Sequence, residues 1–408
     1  MVKQDIIRAA FRIWGRELYQ TTSLTRIARD LGVTKPALYR HFKNKQALLD
    51  AMYGYFFDSY AASIKADYDR AIAAADPKEG LLIMIRVIVA YFARHWDAAV
   101  FSLVKIYGNR EVKKLGEQMR ARGIDLRKLG HFEGDPRQYP SMIQMIISTA
   151  IFWVGWFHRY GYEGEAPSEE AVLNMVSFVE AKISHGLGFN RSVVEAINYE
   201  ELESRVCAMP LEPVEEDRIL RAVAGTVAEL GPWEASMDMI ARRSGLSKSS
   251  LYAHFKNKQD MLRRFFAAEF ERIFAYVEAG IGKSAVPEEQ FYLAIAAIAN
   301  YLCFRLEILA AVDWLRTRGF GWESLGPPFP IARIFSNITV PGVEPVSERI
   351  SLWILFLIVN TLMWRPRGEP SCPAEDPEGP LRRRPESVFS EGENFNFRML
   401  YKFIALGL

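Results

Sequence analysis

Two short stretches carry the residues best suited to chemistry: TKPALYRHFKNK over 34–45 and SKSSLYAHFKNK over 247–258. Each sets a hydroxyl, an ammonium, a phenol and an imidazole within about two helical turns. Ammonium and hydroxyl groups hold phosphate oxygens, and short neighbours let a helix approach base edges closely. In a helix, Leu38 and Phe42, like Leu251 and Phe255, recur at i, i+4 and face a core. Lys35, Tyr39, Lys248 and Tyr252 then project from another face, either as solvated surface or as contacts to phosphate and base. Their joint recurrence in two otherwise diverged segments favours contact.

Positioning such groups takes a short helix, a tight turn and a second short helix, the helix-turn-helix arrangement. Gly32 and Gly245 supply the turns. Ser23 and Ser236 cap the first helix, and Thr34 and Ser247 cap the second, leaving free N–H groups where phosphate binds well. The second helix is read as Lys35–Phe42 and Lys248–Phe255. The whole arrangement is written twice: Ile27–Leu49 recurs as Ile240–Leu262 at a constant offset, without a gap, and with 14 of 23 positions identical. Weaker matches run back from Ser23, Ala9, Arg8 and Ile6 to Ser236, Ala222, Arg221 and Ile219. Forward, AYFARHWDAAVFSLVKIYG is echoed by NYLCFRLEILAAVDWLRTRG, and each half closes on Gly-Leu, at 186–187 and at 407–408.

At 408 residues, 50% hydrophobic, with 51 Lys plus Arg against 49 Asp plus Glu, the chain is an ordinary globular protein of two units. Collagen, fibrous repeats and wholesale disorder are excluded. Cys207, Cys303 and Cys372 lie far apart, which suggests neither a disulfide framework nor a Cys-based zinc site and fits a reducing, cytoplasmic setting. The N-terminal segment lacks the order of a secretory signal. The most apolar run noted, Leu352–Trp364, falls short of the roughly 20 residues that span a bilayer, so a buried helix and no membrane association are expected. Apolar residues recur at three- and four-residue spacing nearly everywhere, predicting an all-α fold without a sheet.

The repeated pattern [TS]-K-x-x-L-Y-x-H-F-K-N-K-x-x-[LM]-L resembles the DNA-binding signature of the TetR family of bacterial transcriptional regulators, over about 45 residues in each half. The resemblance implies three N-terminal helices for DNA, a long fourth helix leading to a regulatory domain, and a paired eighth and ninth helix forming a four-helix dimer interface. It also implies repression that a small ligand relieves. On this pattern 1–50 is the first helix-turn-helix domain, 51–187 its regulatory domain, 188–213 a linker, 214–263 the second helix-turn-helix domain and 264–408 its regulatory domain. The linker reading allows a short helix before Pro210 and Pro213. Residues 365–392, dense in Pro, Glu, Gly and Arg, are expected to form a mobile loop.

Carried over position by position, Lys35, Pro36, Ala37 and Tyr39 would face the major groove of double-stranded DNA beside Arg40, with Thr34, Tyr39, His41 and Lys45 on or near phosphates. In the second unit Lys248, Ser249, Ser250 and Tyr252 take the groove, and Ser247, Tyr252, His254 and Lys258 the backbone. His41 and His254 are equally readable as residues packed beside Phe42 and Phe255. The halves differ where they would read sequence: Pro36-Ala37 becomes Ser249-Ser250 and Arg40 becomes Ala253, so an asymmetric site is expected. The family's usual Gly before the second helix is met by Gly231 but not by Leu18. Residues 1–50 carry a net charge of +6 and residues 213–262 a net charge of 0, so the first domain has the stronger electrostatic footprint. Asp238 would repel a nearby phosphate, making the second domain a weak reader or a structural copy.

Candidate dimer-forming helices are Ser141–Tyr160 with Glu169–Leu187, and Ser347–Trp364 with Asn394–Leu408. A linker of this length spans up to roughly 85 Å extended, or about 40 Å if helical, which permits a single-chain pseudo-dimer at high effective concentration. A homodimer with four DNA-binding domains is the alternative assembly. Aromatic residues including Trp96, Phe101, Tyr107, Trp153, Trp156 and Phe157, and Phe304, Trp314, Phe320, Trp353 and Trp364, serve ordinary packing or a small apolar or aromatic effector. No nucleophile elbow, P-loop, dinucleotide fingerprint or zinc-protease motif occurs, and the six His show no metal-ligand spacing, so neither catalysis nor a cofactor is expected. The rival to a promoter regulator is a nucleoid-organising or protein-interaction factor on the same fold.

Overall fold

The computed structural model describes residues 3–16, 23–102, 112–129, 139–161, 166–210, 218–230, 235–318, 333–364, 389 and 397–408. Leu18, Tyr107, Pro213, Gly231, Phe320 and all of 365–392 except Phe389 lie outside them. Every regular element among the described residues is helical, as the apolar spacing predicts. The chain separates into two compact units, Met1–Glu180 and Ala181–Leu408.

In the first unit α1 (Lys3–Arg16), α2 (Leu24–Asp30) and α3 (Lys35–Tyr39) precede the long α4 (Lys45–Ile72). They are followed by α5 (Pro77–Arg94), α6 (Trp96–Phe101), α7 (Val112–Ala121), a single 3-10 turn (Leu126–Lys128), α8 (Tyr139–Gly161) and α9 (Glu169–His185), whose last turn crosses the unit boundary. Helix α4 starts where it does because the Asn44 side chain accepts the Ala47 N–H at 2.8 Å. Helix α5 then crosses α4 at Gly80, where a Cβ would strike the Ala71 carbonyl, so that position needs glycine. Phe11 of α1 packs at a tilt against Phe101 of α6 with centroids 4.9 Å apart, and Phe56 of α4 lies 5.6 Å from the same ring. A dry aromatic cluster thus ties the N-terminal helices to the larger helical body.

Within α8, residues Ser141–His158 are long and apolar enough by length and composition to cross a membrane, and 67% of that window is buried inside the protein, as in a core helix. The sequence reading singled out Leu352–Trp364 instead. Near the end of α8, His158 donates from Nε2 to the Ala93 carbonyl at 2.7 Å and stacks on Trp96, and burial lowers its pKa. The folded protein therefore resists a proton that the unfolded chain accepts near pH 6.5. Stability from this residue is present above that pH and lost as pH falls through it. Thermal melts from pH 7.5 to 5.5 should show a decline that His158→Asn reduces; an unchanged pH profile would remove His158 as the cause.

The second unit contains α10 (Arg191–Ala196), α11 (Tyr199–Cys207), α12 (Arg218–Leu230), α13 (Met237–Ser244), α14 (Lys248–His254), α15 (Lys258–Ile281), α16 (Pro287–Phe304), α17 (Leu306–Arg318), α18 (Glu348–Trp364) and α19 (Phe397–Leu406). Helix α16 is its centre: all residues from Phe291 to Cys303 are buried, as expected of a helix apolar on all sides. Where Phe56 stands in the first unit, the second has Glu269, only 2% exposed and held by Arg272, Arg305 and the Tyr301 hydroxyl. The two units thus fill one corresponding position by opposite means, packing in one and a paired charge in the other.

Residues 188–213, read as a linker, behave differently over their described part. Helices α10 and α11 pack on α16, and Val194, Leu202 and Val206 are at most 2% exposed. The apolar positions that allowed a short helix there form a face that is consumed by packing. Arg398 of α19 grips Glu203 through two hydrogen bonds of 2.8 and 2.7 Å, and the Tyr292 hydroxyl donates to the same carboxylate at 2.5 Å. Glu203→Gln should cost about 2 kcal/mol, because a bidentate charged pair is lost while its partners stay largely buried. Chemical denaturation checks this, and a change of a few tenths of a kcal/mol would mark the clamp as incidental.

The last turn of α9 also belongs to this unit, and it meets the end of α19 in a reciprocal pattern. The Leu187 N–H donates to the Ile404 carbonyl at 2.8 Å, and the Leu408 N–H donates to the Ile183 carbonyl at 3.0 Å. Ile183 and Leu187 hold the same places before and after Gly186 that Ile404 and Leu408 hold around Gly407. Both glycines have positive φ, +55° and +77°. A Cβ on Gly186 would lie 2.5 Å from the Ile404 oxygen, and one on Gly407 would strike the Ser184 and His185 backbone. The exchange is isologous in form, the pattern that two-fold symmetry imposes on a contact.

Candidate nucleic-acid interface

Each helix-turn-helix is built by the same local rules. Ser23 Oγ accepts the Arg26 N–H and Ser236 Oγ the Met239 N–H, both at 3.2 Å, opening α2 and α13. Gly32 and Gly245 take left-handed φ of 65° and 64°, and the next residues, Val33 and Leu246, return hydrogen bonds of 2.9 Å to Ala28 and Ala241. That left-handed turn is why glycine recurs there. Thr34 then accepts the Ala37 N–H at 3.4 Å, and Ser247 the Ser250 N–H at 3.1 Å.

The recognition segments are shorter as regular helix than the sequence reading of Lys35–Phe42 and Lys248–Phe255. Helix α3 ends at Tyr39 and α14 at His254, yet Phe42 and Phe255 still bond back to Leu38 and Leu251 at 3.1 Å. The chain tightens there so that each Phe can plug the core. Leu38, Phe42, Leu251 and Phe255 are all buried, as their spacing predicts.

Thr34, Lys35, Pro36, Tyr39, Arg40 and His41 are exposed, while Ala37 and Lys45 are half-buried. Ser247, Lys248, Ser249, Ser250, Tyr252 and His254 are exposed, and Lys258 is half-buried. Both histidines therefore face solvent; His254 stands 6.4 Å from the Phe255 ring, a loose contact. Burial lowers the pKa of Lys45. The Lys35 ammonium sits 5.8 Å from the Tyr39 ring centre, so these two groups are brought together. Its counterpart Lys248 is drawn elsewhere, to Asp238, with an N···O distance of 3.0 Å, and the hydrogen bond that the ammonium donates to that carboxylate raises the lysine's pKa. Ser247 Oγ also engages Ser249 Oγ at 2.9 Å and Ser250 Oγ at 2.8 Å.

Residues not singled out by sequence reading adjoin this surface. Lys43 and Lys256 are exposed between the recognition segment and the long helix, and their identity in both copies was the available signal. The Lys3 ammonium lies 5.4 Å from the Phe42 ring centre, which no spacing within the motif reports. Among the described residues no group of three or more His, Cys, Asp or Glu is placed to hold a metal ion.

A short exposed basic helix, fixed by a glycine turn and plugged into a three-helix core, defines a DNA-binding domain of the helix-turn-helix class. Residues 6–52 and 219–265 each match the family model of the bacterial regulatory proteins, tetR family. The chain thus carries two domains of this family in tandem. It is 31% identical over 114 residues to the uncharacterized HTH-type transcriptional regulator YerO of Bacillus subtilis, covering 28% of this chain and 39% of that protein. The match thus spans about two fifths of that relative's length. Similarity to the tetracycline repressor protein class C of Escherichia coli is 44% identity over 50 residues, 12% of this chain and 23% of that one. The fatty acid metabolism regulator protein of Bacillus subtilis matches at 28% over 79 residues, 19% of this chain and 41% of that one.

Proposed function

We propose that the chain is a cytoplasmic, ligand-responsive repressor acting as a single-chain pseudo-dimer on an asymmetric operator. The reciprocal exchange between 183–187 and 404–408 carries this reading: like segments closing the two repeats meet as the same segments of two subunits would. The exposed residues of α3 and α14 are assigned to DNA, with Lys35, Pro36, Ala37, Tyr39 and Arg40 against Lys248, Ser249, Ser250 and Tyr252 setting different half-site preferences. Thr34, His41 and Lys45, with Ser247, His254 and Lys258, are assigned to the backbone.

Repression is supported by the similarity of a 50-residue segment to the tetracycline repressor protein class C. Ligand response is carried over from the family resemblance alone; in the first unit the aliphatic side chains of Leu81, Met84, Ile88, Leu129, Ile146 and Ile147, between α5, the 3-10 turn and α8, leave room for only about one water molecule. The test is the mass of the protein in solution by light scattering, alone and on duplex DNA selected from random sequence. A monomer on one two-part asymmetric site is the expected result. A dimer, or a palindromic site, overturns the pseudo-dimer.

A further inference from the structure

We propose that Asp238 restrains the second helix-turn-helix, so that the chain's hold on DNA comes mainly through the first. The proposal rests on the reading that α3 and α14 contact DNA. Three polar groups at the start of α14 are already engaged within the protein: the Lys248 ammonium by Asp238, and the Ser249 and Ser250 hydroxyls by Ser247. At the corresponding places the first unit has Thr25 for Asp238, and Pro36 and Ala37 for the two serines. Lys35 has no ion-pair partner among the described residues and rests beside the Tyr39 ring.

Asp238 is an exposed residue in the first turn of α13, with its carboxylate on the same side as the lysine it holds. A phosphate approaching Lys248 must displace that carboxylate and then remain beside it. The carboxylate therefore acts twice, occupying the cation and repelling the anion. Both parts of the ion pair are about half exposed, so it is weak enough to be displaced by a favourable DNA site. This makes the second domain a conditional reader, engaged after the first has anchored the chain. The neutral balance of residues 213–262, against +6 over 1–50, acts in the same direction over longer range.

The test uses the full chain and its selected duplex, titrated over a series of salt concentrations, with thermal melts to establish folding. Asp238→Thr should tighten binding about fivefold at low salt and steepen the salt dependence by about one unit of slope. Lys248→Ala placed on Asp238→Thr should remove that gain, and Thr25→Asp should weaken binding through the first unit. Unchanged affinity and slope for Asp238→Thr, with Lys35→Ala still weakening binding, overturns the restraint and leaves the DNA reading standing. If Lys35→Ala and Asp238→Thr both leave binding unchanged, the underlying contact assignment fails and the restraint fails with it. A loss from Lys248→Ala alone as large as that from Lys35→Ala also overturns it, because the second lysine would then be free to bind.

Discussion

A chain carrying Lys35→Ala and Tyr39→Ala is expected to bind its selected duplex about a hundredfold more weakly, a loss of about 3 kcal/mol. Both side chains are exposed, Tyr39 to 42%, and the residue between them that fixes the helix, Leu38, is untouched. The thermal melt should therefore stay within a degree or two of the parent while affinity falls. Removing the lysine should also lower the salt slope by about one, since one fewer counterion is released. The same pair of changes at Lys248 and Tyr252 should cost markedly less, because Lys248 already has a carboxylate partner. Electrophoretic or fluorescence titration at several salt concentrations distinguishes the two sites. Affinity within twofold of the parent would remove α3 from the interface.

Gly407→Ala should destabilise the second unit by about 3 kcal/mol, and Gly186→Ala by a similar amount. Part of this is the left-handed backbone, with φ of +77° and +55°. The larger part is the approach of two chain segments so close that a methyl group on either would meet the other's backbone. Gly188 provides the control: its φ is +79° but no atom lies within 4 Å of an added Cβ. Gly188→Ala should therefore cost only the conformational share, about 1 kcal/mol. Denaturant titration of the three variants separates the two contributions. Equal losses at 188 and 407 would mean that the close crossing adds nothing.

Much of the helix-turn-helix was legible because its constraints are local. Serine and threonine caps, a left-handed glycine, and Leu and Phe at i, i+4 each act within a few residues, and their repetition made them visible twice. The pairing of Lys248 with Asp238 was not legible in the same way. Both charges were evident, but they sit on different helices ten positions apart, and only the turn angle brings them together. Similarly, the amphipathic character of 191–207 could be read, but not its destination. An apolar face states that a helix must pack, whereas the surface it packs on is set by residues such as Tyr292 and Arg398, some ninety to two hundred positions away. The buried Glu269 has one partner near in sequence, Arg272 three residues on, but its second, Arg305, comes from beyond the end of α16.

The crossing of residues 183–187 with 404–408 also bears on the order in which the chain folds. The first unit draws its internal contacts from a continuous stretch ending at Glu180 and can condense as soon as that stretch is available. The second cannot do so: α10 and α11 must wait for α16 and α19, and the backbone bonds at Leu187 join residues more than two hundred positions apart. Closing so long a loop is entropically costly and slow. Until α19 docks, the faces bearing Val194, Tyr199 and Leu202 lack part of their cover. Assembly of the second unit, and with it the meeting of the two Gly-Leu ends, is thus the late step, and the interval before it is when this chain is most open to proteolysis and to exchange of α19 with another copy.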